Sequence, residues 1–165
     1  MAGSIVAGHG CCHDSPTLTR PIEVAIVIDA SPNRLWPELA DFRSHPEWMD
    51  DAATVSFLTD RTSGVGTRIE VATKVGPLRA TDVMEVIEWE DERTIVVEHL
   101  GSVTGFGRFE IRPTGTGTEM RWVEELRFPW WMGGPIGLGL ARPILGRIWQ
   151  GSLKRLKERL ELSGP

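Results

Sequence analysis

Apolar and polar residues alternate along most of this chain, and only near its end does the period lengthen. In PIEVAIVIDA (21–30), Ile22, Val24, Ile26 and Ile28 share one face, the pattern of a half-buried strand. Ser31-Pro32 follows, a capping serine with proline at the first helical position. Leu35, Trp36 and Leu39 make the apolar side of a short helix, with Trp36 a core candidate. DFRSHPEWM (41–49) reads as a break and a second helical turn started by Pro46. The period then becomes two and stays there. VSFL (55–58) is a short strand, and TRIEVATKV (67–75) puts Ile69, Val71, Thr73 and Val75 on one face. Gly76-Pro77 turns the chain into LRATDVMEVIEWE (78–90), a long strand whose register is ambiguous near Met84. RTIVVEHL (93–100), GFGRFEIRP (105–113) and TEMRWVEELRF (118–128) complete the series across an acidic turn and a TGTG hairpin. Links this short favour consecutive antiparallel pairing.

The end of the chain is helical. Leu145, Trp149, Leu153, Leu156 and Leu160 follow a three-to-four spacing. Pro143 is expected to kink or restart that helix, because it lacks the amide donor and crowds the preceding turn. The order is therefore strand, two short helices, six strands and one long helix, an α+β arrangement. A sheet with one solvated face must bury the other, and the terminal helix is the large apolar element available to it. A strongly curved sheet gripping that helix leaves space between them, with the two short helices plugging one end. The uncharged, glycine-rich stretch FPWWMGGPIGLGLA (128–141) leads from the last strand onto the helix and is expected to form the wall and mouth of that space. It is too short and too interrupted to span a bilayer, for which about 20 apolar residues are needed. Stable membrane insertion is not expected.

Charge adds two expectations. The formal net charge is −5 and the sequence pI is near 5.4, which disfavours nucleic acid as a partner. The segment 142–161 is mostly basic and the segment 82–127 mostly acidic, so helix and sheet look electrostatically matched. With 165 residues, one domain with its own core is expected over 21–162. Residues 1–20 read as a disordered arm. It carries His9, Cys11, Cys12 and His13, whose spacing is no standard zinc pattern, so no metal is assigned. The start has no basic region leading into an apolar segment, and adjacent cysteines seldom bridge. A cytoplasmic location follows as an expectation.

The order of elements and several local runs resemble the START-like, or Bet v 1-like (SRPBCC), superfamily, and within it the polyketide cyclase/dehydrase-like group. VAIVIDASPNRLWPELADFRSHPEWM (24–49) is similar to the family's opening strand, turn and Trp-bearing helix with its Pro-x-Trp link. VMEVIEWEDERTIVVE (83–98), GRFEIRPTGTGTEMRWVEEL (107–126) and SLKRLKERLE (152–161) are similar to its valine-rich hairpin, its last hairpin and its last helix. The resemblance spans roughly 22–161 and implies the helix-grip fold. It leaves function open, since lipid carriers, hormone receptors, aromatase/cyclases and proteins without known activity share that fold.

Catalytic motifs are scarce. There is no Walker motif, G-x-G-x-x-G, H-E-x-x-H or G-x-S-x-G, so no cofactor is implied. His99 shares a strand face with Ile95 and Val97. Turned inward, it offers a hydrogen bond or acid/base chemistry near neutral pH; an ordinary core or rim histidine is the alternative. Glu124 alternates with Met120 and Trp122, and if it is buried it needs a partner, for which His99 and Arg108 are the candidates. His99, Glu124 and Arg108 are thus the candidate catalytic set. Asp41 and His45 read as a local link, and KRLKER (154–159) as the wet side of the last helix. Trp48, Met49, Trp122, Trp131, Met132 and Trp149 are the candidate ligand-lining residues, with plain core packing as the competing reading. Three functions remain open: binding or carriage of a hydrophobic small molecule (lipid, isoprenoid or polyketide-like), a cyclase/aromatase or dehydratase-like enzyme, and a partner-binding domain. Either a monomer or a homodimer is compatible with them.

Overall fold

In the computed structural model, residues 20–75 and 78–162 are described. The N-terminal arm with His9, Cys11, Cys12 and His13, and the Gly76-Pro77 turn, lie outside the described residues. The order of elements is the expected one: β1 (Ile22–Ile28), α1 (Pro32–Ala40), a 3-10 turn (Phe42–Ser44), α2 (His45–Trp48), β2 (Ala52–Phe57), β3 (Arg68–Val75), β4 (Leu78–Glu90), β5 (Thr94–Leu100), β6 (Thr104–Thr114), β7 (Gly117–Arg127), a 3-10 turn (Trp130–Met132) and α3 (Gly134–Leu162). The strands form one seven-stranded antiparallel sheet in the order β1-β7-β6-β5-β4-β3-β2. The chain has the α+β helix-grip fold, a curved sheet wrapped around the long C-terminal helix. No helix among the described residues is long and apolar enough to cross a membrane.

Each inner face follows from the period. Ile22, Val24 and Ile28 of β1 and Ile69 and Val71 of β3 are buried, while their neighbours in sequence face out. Met120, Trp122, Glu124 and Leu126 of β7 alternate inward along the whole strand. Leu153 and Leu156 of α3 are fully buried and join Ile28, Leu35, Leu39 and Met120 in the core. Burying a large aliphatic side chain contributes about 1.5–3 kcal/mol, which is what clamps α3 onto the sheet.

The ambiguity at β4 is resolved by a bulge. Val86 pairs with Val97, but the next pair is Glu88 with Val96, so Ile87 is an extra residue on β4. A one-residue shift swaps the faces of a strand. Asp82, Met84 and Val86 therefore face the same side as Trp89, whose ring packs edge-on against Trp36 of α1 at 5.4 Å. Strict alternation would have turned one of these two halves outward.

One expectation is narrowed and one needs correction. Of the kink or restart expected at Pro143, the restart is absent: α3 runs through Pro143. Pro143 and the preceding-turn residue Gly139 are both exposed, so water can satisfy the carbonyl that loses its donor. The charge match is the one corrected: among the described residues, the ion pairs of the basic side chains of α3 are not with the acidic strands. Arg155 pairs with Asp50, and Arg159 bridges Glu38 at 3.0 Å and Glu47 at 2.5 Å, all on or beside α1 and α2. Some acids of the outer sheet face pair with neighbouring strands instead, as in Glu23–Arg121 and Glu85–Arg68, both at 2.7 Å. Bulk charge of a segment does not reveal partners, because ion pairs form between side chains the fold places within about 4 Å.

Candidate functional site

A cleft of about 570 Å³ opens between the inner face of the sheet, α2 and the first half of α3. Its walls are largely apolar: Val55, Ile69 and Val71 on one side, Phe109, Trp122 and Trp149 on the other. Ionisable side chains lie at its floor, enclosed by these apolar walls; a separate surface groove is lined by Asp29, Pro32, Arg34, Thr114 and Glu161.

The centre of the floor is His99. Its ring is 7% exposed, its Nδ1 lies 2.5 Å from Asp82 Oδ2, and its Nε2 lies 3.1 Å from Glu124 Oε2. The sheet explains how three strands meet here. β4 and β5 are neighbours, and the pairing of Met84 with His99 brings Asp82 alongside the ring. Glu124 is on β7, two strands from β5, and strands lie about 4.8 Å apart. The intervening strand, β6, presents Gly105 and Gly107 to the inside, so nothing stands between the carboxylate and the imidazole. A Cβ on Gly107 would sit 2.7 Å from Glu124 Oε1, and a Cβ on Gly101 would overlap Asp82 Oδ1. Neither glycine has a left-handed backbone. Both are needed for space.

The electrostatics follow. Burial alone would lower the pKa of His99. The hydrogen bonds to Asp82 and Glu124 and the charges of both carboxylates outweigh it and push the imidazole up to about 10. His99 is therefore protonated at neutral pH, with both N–H groups donated to carboxylates. Trp122 Nε1 donates to the second oxygen of Glu124 at 2.7 Å. Trp149 stacks on Trp122 with ring centroids 5.1 Å apart, and its Nε1 donates to Asp51 Oδ2 at 2.9 Å. Burial raises the pKa of Asp51, an effect opposed by the Trp149 hydrogen bond. His45 shows the opposite balance to His99. Fully buried, it is pushed down to about 4 by desolvation, and its ring nitrogen Nε2 lies 3.0 Å from the carbonyl of Leu39, so the neutral ring donates there.

His99 and Glu124 are thus brought together, as expected if both turned inward. Met49, Trp122, Trp131, Met132 and Trp149 line the cleft. The stretch after β7 forms part of its wall, with Phe128, Trp131 and Met132 on the lining and Gly133, in the left-handed region at φ 84°, reversing the chain into α3. Two candidates are misplaced. Arg108 lies on the outer face of β6, exposed, and bonds to Glu110 at 3.4 Å. The inner positions of β6 are the odd-numbered ones, occupied by Gly105, Gly107, Phe109 and Ile111, so Arg108 cannot reach Glu124. Trp48 is fully buried behind the cleft, between His45 and Phe109, and belongs to the core. Asp82, Asp51, Gly101 and Gly107 went unread from the sequence. Asp82 was legible only through its alternation with Met84 and Val86; nothing local marks the other three. Among the described residues no cluster of His, Cys, Asp and Glu is placed to hold a metal ion.

Comparisons with known proteins agree on the architecture. The family model described as "Polyketide cyclase / dehydrase and lipid transport" matches residues 19–161. Similar solved structures include a protein of Thermus thermophilus, 19% identical, with TM-score 0.69 over 88% of this chain and 100% of that one. A protein of Deinococcus radiodurans is 20% identical, with TM-score 0.66 over 87% of this chain and 98% of that one. One half of the di-domain aromatase/cyclase StfQ of the steffimycin biosynthetic pathway is also similar: 13% identical, TM-score 0.72, covering 87% of this chain and 51% of that one. No curated protein matches the chain by sequence.

Proposed function

The chain belongs to the polyketide cyclase/dehydrase and lipid-transport family, and from that premise we propose that it binds and carries a hydrophobic small molecule in the cleft beneath α3. The observation that supports this most is the cleft itself. Its volume of about 570 Å³ lies in the usual range for small-molecule sites, roughly 300–1,000 Å³, and such sites pair apolar walls with a few placed polar groups. The polar floor provides orientation: Asp82, His99 and Glu124 hold one another fixed at one end of an apolar chamber.

The same floor favours binding over turnover. A general base works best with a pKa near the working pH and a free lone pair. His99 is held protonated, and neither ring nitrogen is free. A cyclase or dehydratase step would have to rely on a carboxylate, and each one on the floor already accepts a hydrogen bond on at least one oxygen. Native mass spectrometry of the purified protein, together with displacement of a fluorescent lipid, tests the proposal. A co-purifying apolar species or saturable displacement is the expected result. An empty protein and no displacement across fatty acyl, isoprenoid and aromatic polyketide panels would refute it.

A second reading, self-association, draws on the exposure of Trp130 (87%), Ile136 (77%) and Leu140 (73%) beside the cleft mouth. Large apolar side chains exposed close together in sequence fit a contact surface. Light scattering decides it: a monomer at every concentration removes this reading and leaves the cleft proposal intact.

A further inference from the structure

We propose that the cleft selects ligands whose apolar body carries a hydrogen-bond-donating head, a protonated amine first and a hydroxyl next, and that it rejects carboxylates. This rests on the ligand-binding reading above and specifies the chemistry of its ligand.

Donors and acceptors on the floor are unequally committed. His99 donates one N–H to Asp82 and the other to Glu124. Trp122 donates its indole N–H to Glu124, and Trp149 donates its own to Asp51. His45 directs its ring nitrogen Nε2 at the Leu39 carbonyl. Each N–H on the floor is thereby spent on the protein's own oxygens. What remains is acceptor capacity. Asp51 Oδ1 and Asp82 Oδ1 are buried with no hydrogen-bond partner among the described residues. Neither oxygen is open to the cleft, and Asp82 Oδ1 lies against Gly101. What a ligand's head meets is therefore a floor rich in acids and poor in donors, which a donor-bearing or cationic head stabilises and a further carboxylate does not.

Charge points the same way. The groups facing the cleft are His45 from α2, Asp51 from the loop before β2, Arg79 and Asp82 from β4, His99 from β5 and Glu124 from β7. Asp82, His99 and Glu124 together carry one net negative charge when both acids are ionised. His45 is neutral. Among these groups Arg79 is the one positive charge outside the floor, and it is exposed at the start of β4, where solvent screens it. Buried charges are screened far less. The hydroxyls of Thr73, Thr81 and Ser102, also on the lining, both donate and accept and therefore do not discriminate.

Three probes with one aromatic body test this: 2-naphthylmethylamine, 2-naphthalenemethanol and 2-naphthoate, titrated by calorimetry at pH 7 into the purified protein. The ring suits walls built from Phe109, Trp122 and Trp149. The amine should bind at least about tenfold tighter than the naphthoate, with the alcohol between them, because like-charge juxtaposition in a buried site costs more than one power of ten in affinity. Naphthoate binding as tightly as the amine would overturn the selectivity and leave the carrier reading standing. No binding by any probe would count against both. Glu124→Gln and Asp82→Asn each remove one negative charge, and each should shrink the amine-over-naphthoate ratio. A ratio unchanged in a variant with native circular dichroism would also overturn the inference. Should either variant fail to fold, the wild-type series alone decides.

Discussion

Replacing His99 by glutamine removes the cation between two buried carboxylates while keeping a polar side chain of similar reach. The wild-type imidazole is raised from 6.5 to about 10, which corresponds to on the order of 5 kcal/mol of preference for the charged form in the folded state. That is a ceiling, since desolvating three ionisable groups offsets part of the Coulombic gain. Because the folded pKa lies above the unfolded one, this contribution is fully present below pH 6.5 and is lost as pH rises through about 10. Wild-type unfolding free energy, followed by tryptophan fluorescence in urea, should therefore fall between pH 7 and pH 10, with a slope of at most about 1.4 kcal/mol per pH unit. His99→Gln should be less stable at pH 7 and flat over the same range, so that the two profiles converge at the alkaline end. The chain has no tyrosine, and its lysines are common to both proteins, so the difference between the profiles isolates the imidazole. A wild-type profile as flat as that of the variant would refute the assignment of a protonated His99.

Acid should act through the other buried histidine. His45 is depressed to about 4, so its contribution is present above pH 6.5 and is lost as pH falls toward 4, on the order of 3 kcal/mol. His45→Gln should flatten that limb in acid unfolding curves. Gly107→Ala puts a methyl group 2.7 Å from Glu124 Oε1, so the carboxylate must move off His99. The expected cost is about 1–3 kcal/mol, and the His99 imidazole should titrate closer to neutrality by NMR; an unchanged titration would show that the glycine is not needed for space. Leu156→Ala opens a cavity under α3 at a fully buried position away from the cleft lining. It should cost about 2–5 kcal/mol in urea unfolding and leave probe binding unchanged.

The sequence by itself determined whatever depends on neighbours along the chain. Period-two alternation specified which faces of β1, β3, β5 and β7 turn inward, because successive side chains on a strand must point to opposite sides. The three-to-four spacing of Leu145, Trp149, Leu153, Leu156 and Leu160 marked α3 for the same kind of reason. His99 and Glu124 were legible as inward-facing candidates because each alternates with apolar residues. Only the tertiary structure decided what depends on register and on strand order. The bulge at Ile87 turned Asp82 toward His99, and a strand's local pattern does not say where an extra residue falls. Glu124 and His99 sit on strands that are not neighbours, and they meet because β6 places Gly105 and Gly107 between them. Arg108 was a plausible partner for Glu124 until the phase of β6 put it on the outer face. Trp48 and Trp122 look alike in sequence, yet one fills the core and the other lines the cleft. A side chain's periodicity identifies the face it occupies; the distance to a partner two strands away is a property of the assembled sheet.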